Sequence, residues 1–252
     1  VRKAKMMNYK KIICMFIALW LTFILAAEEP VKMVKIPGKD YEMSATEITQ
    51  KIYESVMGEN PSKFKGENLP VETVSWYDAI YFCNKLSVKY GYTPVYSVDG
   101  TKDVTKWKYT PHHKNIINGK ITQNISADGF RLPTMDEWEY AANGGHDYKY
   151  AGSDNIDEVA WYSGNSHNTS HPVAQKKTNG YGLYDMTGNV WEWCWNSYYN
   201  DDDNYLRGGS WDVTVYLCHV FLRKSSYAYS CDYDFGIRVV RTAIPRLLNL
   251  VK

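Results

Sequence analysis

"NGYGLYDMTGNVWEWCW", Asn179–Trp195, changes its grammar half-way along. Gly180, Gly182 and Gly188 punctuate the first part as turns are punctuated, while Trp191, Trp193 and Trp195 alternate with Glu192 and Cys194 in the second. Alternation of period two with bulky aromatic residues predicts a strand, and a strand with three indoles on one face needs a large core to receive them. A chain of 252 residues with 44% hydrophobic content supplies such a core within one domain. The formal net charge is +1 with both signs interspersed, which removes the basic footprint of a nucleic-acid binder. Tyrosine, at 22, and tryptophan, at 9, are over-used; both residue types combine large rigid surface with a polar handle, so the excess favours loop-rich folds and binding surfaces.

Outward from that strand, two segments carry helix starts. "SWYDAIYFCNKLSVKYG" opens at Ser75 with a Ser-x-x-Asp cap, gathers Ala79, Ile80, Phe82, Cys83 and Leu86 on one face and stops at Gly91. "GFRLPTMDEWEYAANGG" repeats the logic: Thr134 precedes Asp136 and Glu137, Trp138 and Tyr140 to Ala142 point inward, and Gly144-Gly145 end it. "VKMVKIPGKDYEM" reads as a strand pair around a Pro-Gly turn, "NPSKFKGENLP" as loop, and a hairpin is expected near Asn118-Gly119. The result is one domain, 28–243, followed by a tail at 244–252.

The N-terminus has the form of an export signal over residues 1–27. Arg2, Lys3, Lys5, Lys10 and Lys11 precede an apolar run from Ile12 to Leu25, then Ala26-Ala27 before Glu28. The expected destination is the cell surface or periplasm of a bacterium, with the membrane touched only through the signal if it is uncleaved. Cys83, Cys194, Cys218 and Cys231 remain beyond the signal; an even count permits disulfides without requiring them, and the spacing is no metal knuckle.

Five blocks, "MVKIPG", "NPSKFKGENLPVETVSWYDAIYFCNKLS", "GFRLPTMDEWEYAANGG", "NGYGLYDMTGNVWEW" and "LRGGSW…GIRVVR", together resemble the sulfatase-modifying-factor family of the formylglycine-generating enzymes. The resemblance implies an α+β, C-type lectin-like fold of the formylglycine-generating-enzyme type: two helices, twisted antiparallel sheets and much irregular structure. The family's oxidases bind copper through two cysteines, five residues apart, after the Gly-Gly-Ser turn. Here those positions fall on Val213 and Cys218, and one thiolate cannot supply the paired soft ligation that Cu(I) needs. The expectation is therefore a protein that is not an enzyme and requires no cofactor, with a metal-dependent oxidase of the family as the alternative.

The same fold is used by the variable proteins of diversity-generating retroelements, in which selected codons of a C-terminal segment are rewritten between fixed scaffold residues. This chain resembles them in residues 208–241. Gly208, Gly209, Ser210, Trp211, Cys218, Arg223, Gly236 and Arg238 stand at the fixed positions, and the text between has neither helical nor strand period. Asparagine codons randomised at their adenines cannot yield Lys, Glu, Gln, Met or Trp. From Asp212 to Asp234 only Lys224 belongs to that set, where ordinary usage gives roughly four or five. Tyrosine and serine with scattered aspartate is also paratope composition. The expected ligand-binding residues are Trp211, Asp212, Val213, Thr214, Tyr216, His219, Phe221, Ser226, Tyr227, Tyr229, Ser230, Asp232, Tyr233 and Asp234. The ligand is expected to be a protein or cell-surface molecule; the alternative is an aromatic-rich loop pinned by packing.

In calcium-binding members the positions matching Asp185, Gly188, Val190 and Glu192 are ligands, two through side chains and two through carbonyls, so the resemblance implies a possible structural calcium. The competing reading is a capping Asp185 and a buried Glu192 satisfied by backbone amides. His167 and His171 lie on a Ser/Thr/Pro-rich loop, His112-His113 on another, and Asp201 to Asp203 in an acidic loop; none has metal-site spacing.

Overall fold

In the computed structural model, residues 31–197 and 203–243 are described. The expected signal at 1–27, the tail at 244–252 and Asp201–Asp202 lie outside them. None of the helices among the described residues is long and apolar enough to cross a membrane.

The strand predicted from the three indoles is present as β5, Trp191–Ser197. It is central in a four-stranded sheet of order β7-β6-β5-β8, with β6 at Asp203–Arg207, β7 at Arg223–Tyr227 and β8 at Phe235–Gly236; β5 and β8 run parallel. Both faces of β5 are covered. Trp191 and Trp193 enter one core with Phe82, Phe130, Phe235 and Ile237, and Trp195 packs against its edge. Cys194 enters the other with Trp138, Met43 and Val240. Alternation on this strand thus sorts side chains between two cores rather than between core and water.

β1, Met33–Lys35, and β2, Tyr41–Ser44, form the expected pair, which β9, Val240–Thr242, extends from the far end of the chain. β3, Tyr96–Val98, pairs with β4, Ile121–Gln123. The expected hairpin is therefore real, but its connection runs from Asp99 to Lys120 instead of turning tightly at Asn118-Gly119.

Both capped helices form. We number the helices α1 Gln50–Met57, α2 Trp76–Lys89, α3 Met135–Asn143 and a single turn α4 Ile156–Val159. α2 and α3 each carry a complete capping box, Ser75 with Asp78 and Thr134 with Glu137. Cys83 is buried on α2 as expected, whereas Tyr140 of α3 keeps part of its ring in solvent and donates its hydroxyl to the Pro37 carbonyl, 3.0 Å away. The structure adds α1. Its cap, Thr49, bonds the Ile52 amide, and Gln50, Tyr53 and Val56 are its buried side chains.

Candidate ligand-binding surface

Residues 208–241 begin where β6 ends. Gly208 and Gly209 have φ of +97° and +81°, and a Cβ on Gly209 would stand 2.7 Å from the Cys218 sulfur, so glycine is required by both conformation and space. From this turn the backbone is pinned at intervals by the fixed domain. The Trp211 N–H donates to the Asn189 carbonyl at 2.8 Å, and the Trp211 carbonyl accepts from Ser166 Oγ at 2.8 Å. The Val213 carbonyl accepts from the Ser163 amide at 3.0 Å, and Val220 donates to Lys149 at 2.9 Å. Arg207, buried and ion-paired to Glu139, donates to the carbonyls of Val220 and Leu222 at 3.2 and 2.9 Å. Ala228 accepts from the Trp76 amide at 3.0 Å, Asp232 from Thr73 at 3.1 Å, and Asp234 from Trp191 at 2.7 Å.

Between the pins, side chains face water. Asp212, Thr214, Tyr216, Phe221, Tyr227, Tyr229, Asp232 and Tyr233 are exposed. Among the described residues, the large apolar side chains left exposed concentrate here: Val215, Tyr216, Leu217, Phe221, Tyr227, Tyr229 and Tyr233, against Val88, Ile116, Ile125 and Tyr148 elsewhere. The Tyr227 and Tyr229 rings stack at 5.3 Å and 4°. His219 lies among Tyr150, Tyr216 and Phe221, with ring centroids 5.1, 5.4 and 5.3 Å away.

The remaining expected residues are placed differently. Val213 packs against two of the hydrophobic clusters, and Ser226 is half-buried on β7 opposite Asn204. Ser230 is half-buried in a turn, its amide donating to Tyr227. Asp234 accepts a 2.6 Å hydrogen bond from Ser210 Oγ, and its carboxyl is pushed above the ordinary range chiefly by burial. It ties the end of the segment to its start. Trp211, half-buried, lies between Phe64, whose ring it meets at 5.4 Å and 87°, and the Tyr233 carbonyl, to which its indole N–H donates at 3.3 Å. The "NPSKFKGENLP" loop thus belongs to the surface, a role for which its sequence carries no period or motif.

At the calcium positions both carboxylates have protein partners. Glu192 is buried and accepts Arg238 Nε on both oxygens at 2.9 Å and the Trp138 indole N–H at 2.5 Å; Arg238, equally buried, also donates to the carbonyls of Ser44 and Tyr184. Arg238 compensates the charge of this carboxylate. Asp185, at φ +56°, accepts the Ala174 amide at 2.7 Å, and burial pushes its carboxyl up to about 6. The Val190 amide donates to Glu47, and the Gly188 amide to Gly208. Glu192 is satisfied mainly by side chains, not by the backbone amides of the competing reading. No group of three metal-ligating side chains is arranged around a common point among the described residues.

Cys218 is fully buried, and burial pushes its thiol up to about 12. Cys83, Cys194, Cys218 and Cys231 are all free. The position that would carry the oxidase's other cysteine is Val213.

A lectin-type domain with irregular loops over two cores, and a segment pinned by backbone but exposed in side chain, defines the class. The chain belongs to the sulfatase-modifying-factor family: residues 18–243 match the family described as "Sulfatase-modifying factor enzyme 1-like domain". Treponema denticola variable protein 1 has a similar solved structure, with 33% identity and a TM-score of 0.75 over 86% of this chain and 93% of that one. "Chaperone protein LppX" of Paenibacillus barcinonensis is 42% identical over 231 residues, covering 81% of this chain and 80% of the relative. The formylglycine-generating enzyme of Streptomyces coelicolor is 36% identical over 154 residues, and the match spans 48% of that enzyme.

Proposed function

We propose that this chain is a non-catalytic ligand-binding protein of bacterial origin, exported to the surface or periplasm, which presents residues 208–241 as a diversified contact surface. The observation that carries the reading is the separation of duties within the segment: main-chain groups and a few buried side chains hold its path, while Tyr216, Phe221, Tyr227, Tyr229 and Tyr233 stay exposed at 39–60%. Exposed tyrosines on a fixed backbone give contact area at low entropic cost. The likeness to a variable protein supports the same reading. Against catalysis stand the sealed Cys218 and its missing partner, because the thiolate is the copper ligand and nucleophile.

The test is sequencing of the 3′ end of the coding region across many cells of the source population. Substitutions at codons 212, 214, 216, 221, 227, 229, 232 and 233, with 208–210, 218 and 238 invariant, are the expected result. A uniform region with no nearby template copy refutes diversification. A second reading follows from the 42% identity to a protein named as a chaperone: the same aromatic surface would take apolar segments of partly folded proteins. It is favoured if the purified protein suppresses aggregation of several unrelated substrates and the codons do not vary.

A further inference from the structure

The exposed segment meets the 59–70 loop at one place with a chemistry of its own. Lys63 Nζ stands 4.1 Å from the centroid of the Tyr233 ring and 5.8 Å from that of Phe64. Phe64 meets Trp211 edge to face, and the Trp211 indole bonds the Tyr233 backbone carbonyl, so Trp211 ties together the two residues whose rings the Lys63 ammonium faces. The loop is held from beneath by two buried side chains: Gln50 Nε2 donates to the Phe64 carbonyl at 2.8 Å, and Glu72 Oε1 accepts the Phe64 amide at 2.9 Å. Lys63 is exposed and forms no ion pair among the described residues.

We propose that Phe64, Trp211 and Tyr233 form a cage for an alkylammonium group of the ligand, and that Lys63 fills it in the free protein. Aromatic faces attract a cation within about 6 Å of the ring centroid, most strongly where water is partly excluded. Trp211 and Phe64 are half-buried and Tyr233 is exposed, which gives walls and an open mouth. Asp212 follows Trp211 and Asp232 precedes Tyr233 in the chain, and both are exposed. An anion would meet the negative ring faces. Lys63 hangs on a flexible stem whose ordering costs entropy, so a ligand cation can displace it.

This inference rests on the ligand-binding reading and adds to it a ligand class and two residues outside the 208–241 segment. The ammonium could come from a lysine of a partner protein, methylated or not, or from a choline headgroup. Calorimetric titration of the full-length protein with Nα-acetyl-trimethyllysine amide, Nα-acetyllysine amide and phosphocholine separates these sources. Removal of the internal cation by Lys63→Ala tightens the preferred probe about tenfold over the wild type, and Tyr233→Leu in that background weakens it about tenfold. Tyr233 is 52% exposed, and an unchanged urea midpoint reports that the variant is folded. Preference for a lysine probe assigns a protein ligand; preference for phosphocholine assigns a headgroup. If the Lys63→Ala protein shows no saturable binding of any probe to about 50 mM, or if Tyr233→Leu leaves binding unchanged, the cage is refuted. The broader surface would then still be judged by codon variation at 216–229, which the probes do not read.

Discussion

A surface open to rewriting must be one whose side chains the fold does not need. Replacing Tyr216, Phe221, Tyr227, Tyr229 and Tyr233 together by serine tests this. The stacked pair Tyr227–Tyr229 contributes about 1 kcal/mol, and the Lys63–Tyr233 contact about 0.5–1 kcal/mol at an exposed site. Tyr216 and Phe221 each touch His219 by an edge or a tilted face, for about 0.5 kcal/mol apiece. The five changes therefore cost about 3 kcal/mol in all, against the 5–15 kcal/mol typical of a folded domain, and the variant stays folded. Ala228 supplies the contrast. It lies between two exposed tyrosines, yet is 1% exposed, and its carbonyl accepts the Trp76 amide. Ala228→Tyr forces a phenol ring into close-packed space and costs more than about 3 kcal/mol by overpacking. Urea denaturation followed by far-ultraviolet circular dichroism reads both. If the five-serine variant fails to fold, or if Ala228→Tyr is neutral, the division between pinned and free positions is wrong and the aromatic rings are structural.

Three further outcomes are expected. Arg238→Met leaves the buried Glu192 carboxylate without its cation and the Ser44 and Tyr184 carbonyls without donors, for a loss of about 3–5 kcal/mol in urea denaturation; a loss under about 1 kcal/mol would show that Glu192 has another partner. With its thiol near 12, Cys218 is about one part in ten thousand thiolate at pH 8, so iodoacetamide should modify the half-buried Cys231 first and leave Cys218 intact in the folded protein. Modification of Cys218 first, or stoichiometric Cu(I) binding that Cys218→Ser removes, would reopen the oxidase reading. Glu72 has its carboxyl raised by burial, so the folded state holds its proton more tightly than the unfolded state does; its contribution is complete below the ordinary value of 4.5 and is lost as pH rises through the raised one. Glu72→Gln should flatten that part of the curve of urea midpoint against pH, and an unchanged slope would assign it to other groups.

What the sequence discloses about this fold is what is local in it. α2 and α3 announce themselves because each has its donor and acceptor within four residues, Ser75 with Asp78 and Thr134 with Glu137. β5 does so because alternation is a nearest-neighbour property. α1 has the same kind of cap at Thr49, but the residue three further on is Ile52 and not an acid, and its buried hydrophobic face is only Tyr53 and Val56, too short a stripe to establish a period. Glu192 shows the opposite case. The family resemblance implies a calcium ligand there, while its ion pair with Arg238, 46 residues away in sequence, is invisible to any local pattern.

The candidate surface follows the same rule with a different consequence. Its text is readable as unusual composition but not as the strand it contains, because β7, with alternating exposed and half-buried side chains, is polar on both faces over Arg223–Ser226. Which of its residues are pins is not readable, because Val213 and Ala228 are held by partners at Ser163 and Trp76, and Asp234 by Ser210 across the whole segment. Nor is the part played by Phe64, since the Phe64–Trp211 contact joins two loops with most of the domain between them in sequence. Where distant backbone groups fix the path of a segment, its exposed side chains need carry no local structural signal. For that reason the surface can be read only where the pins are known.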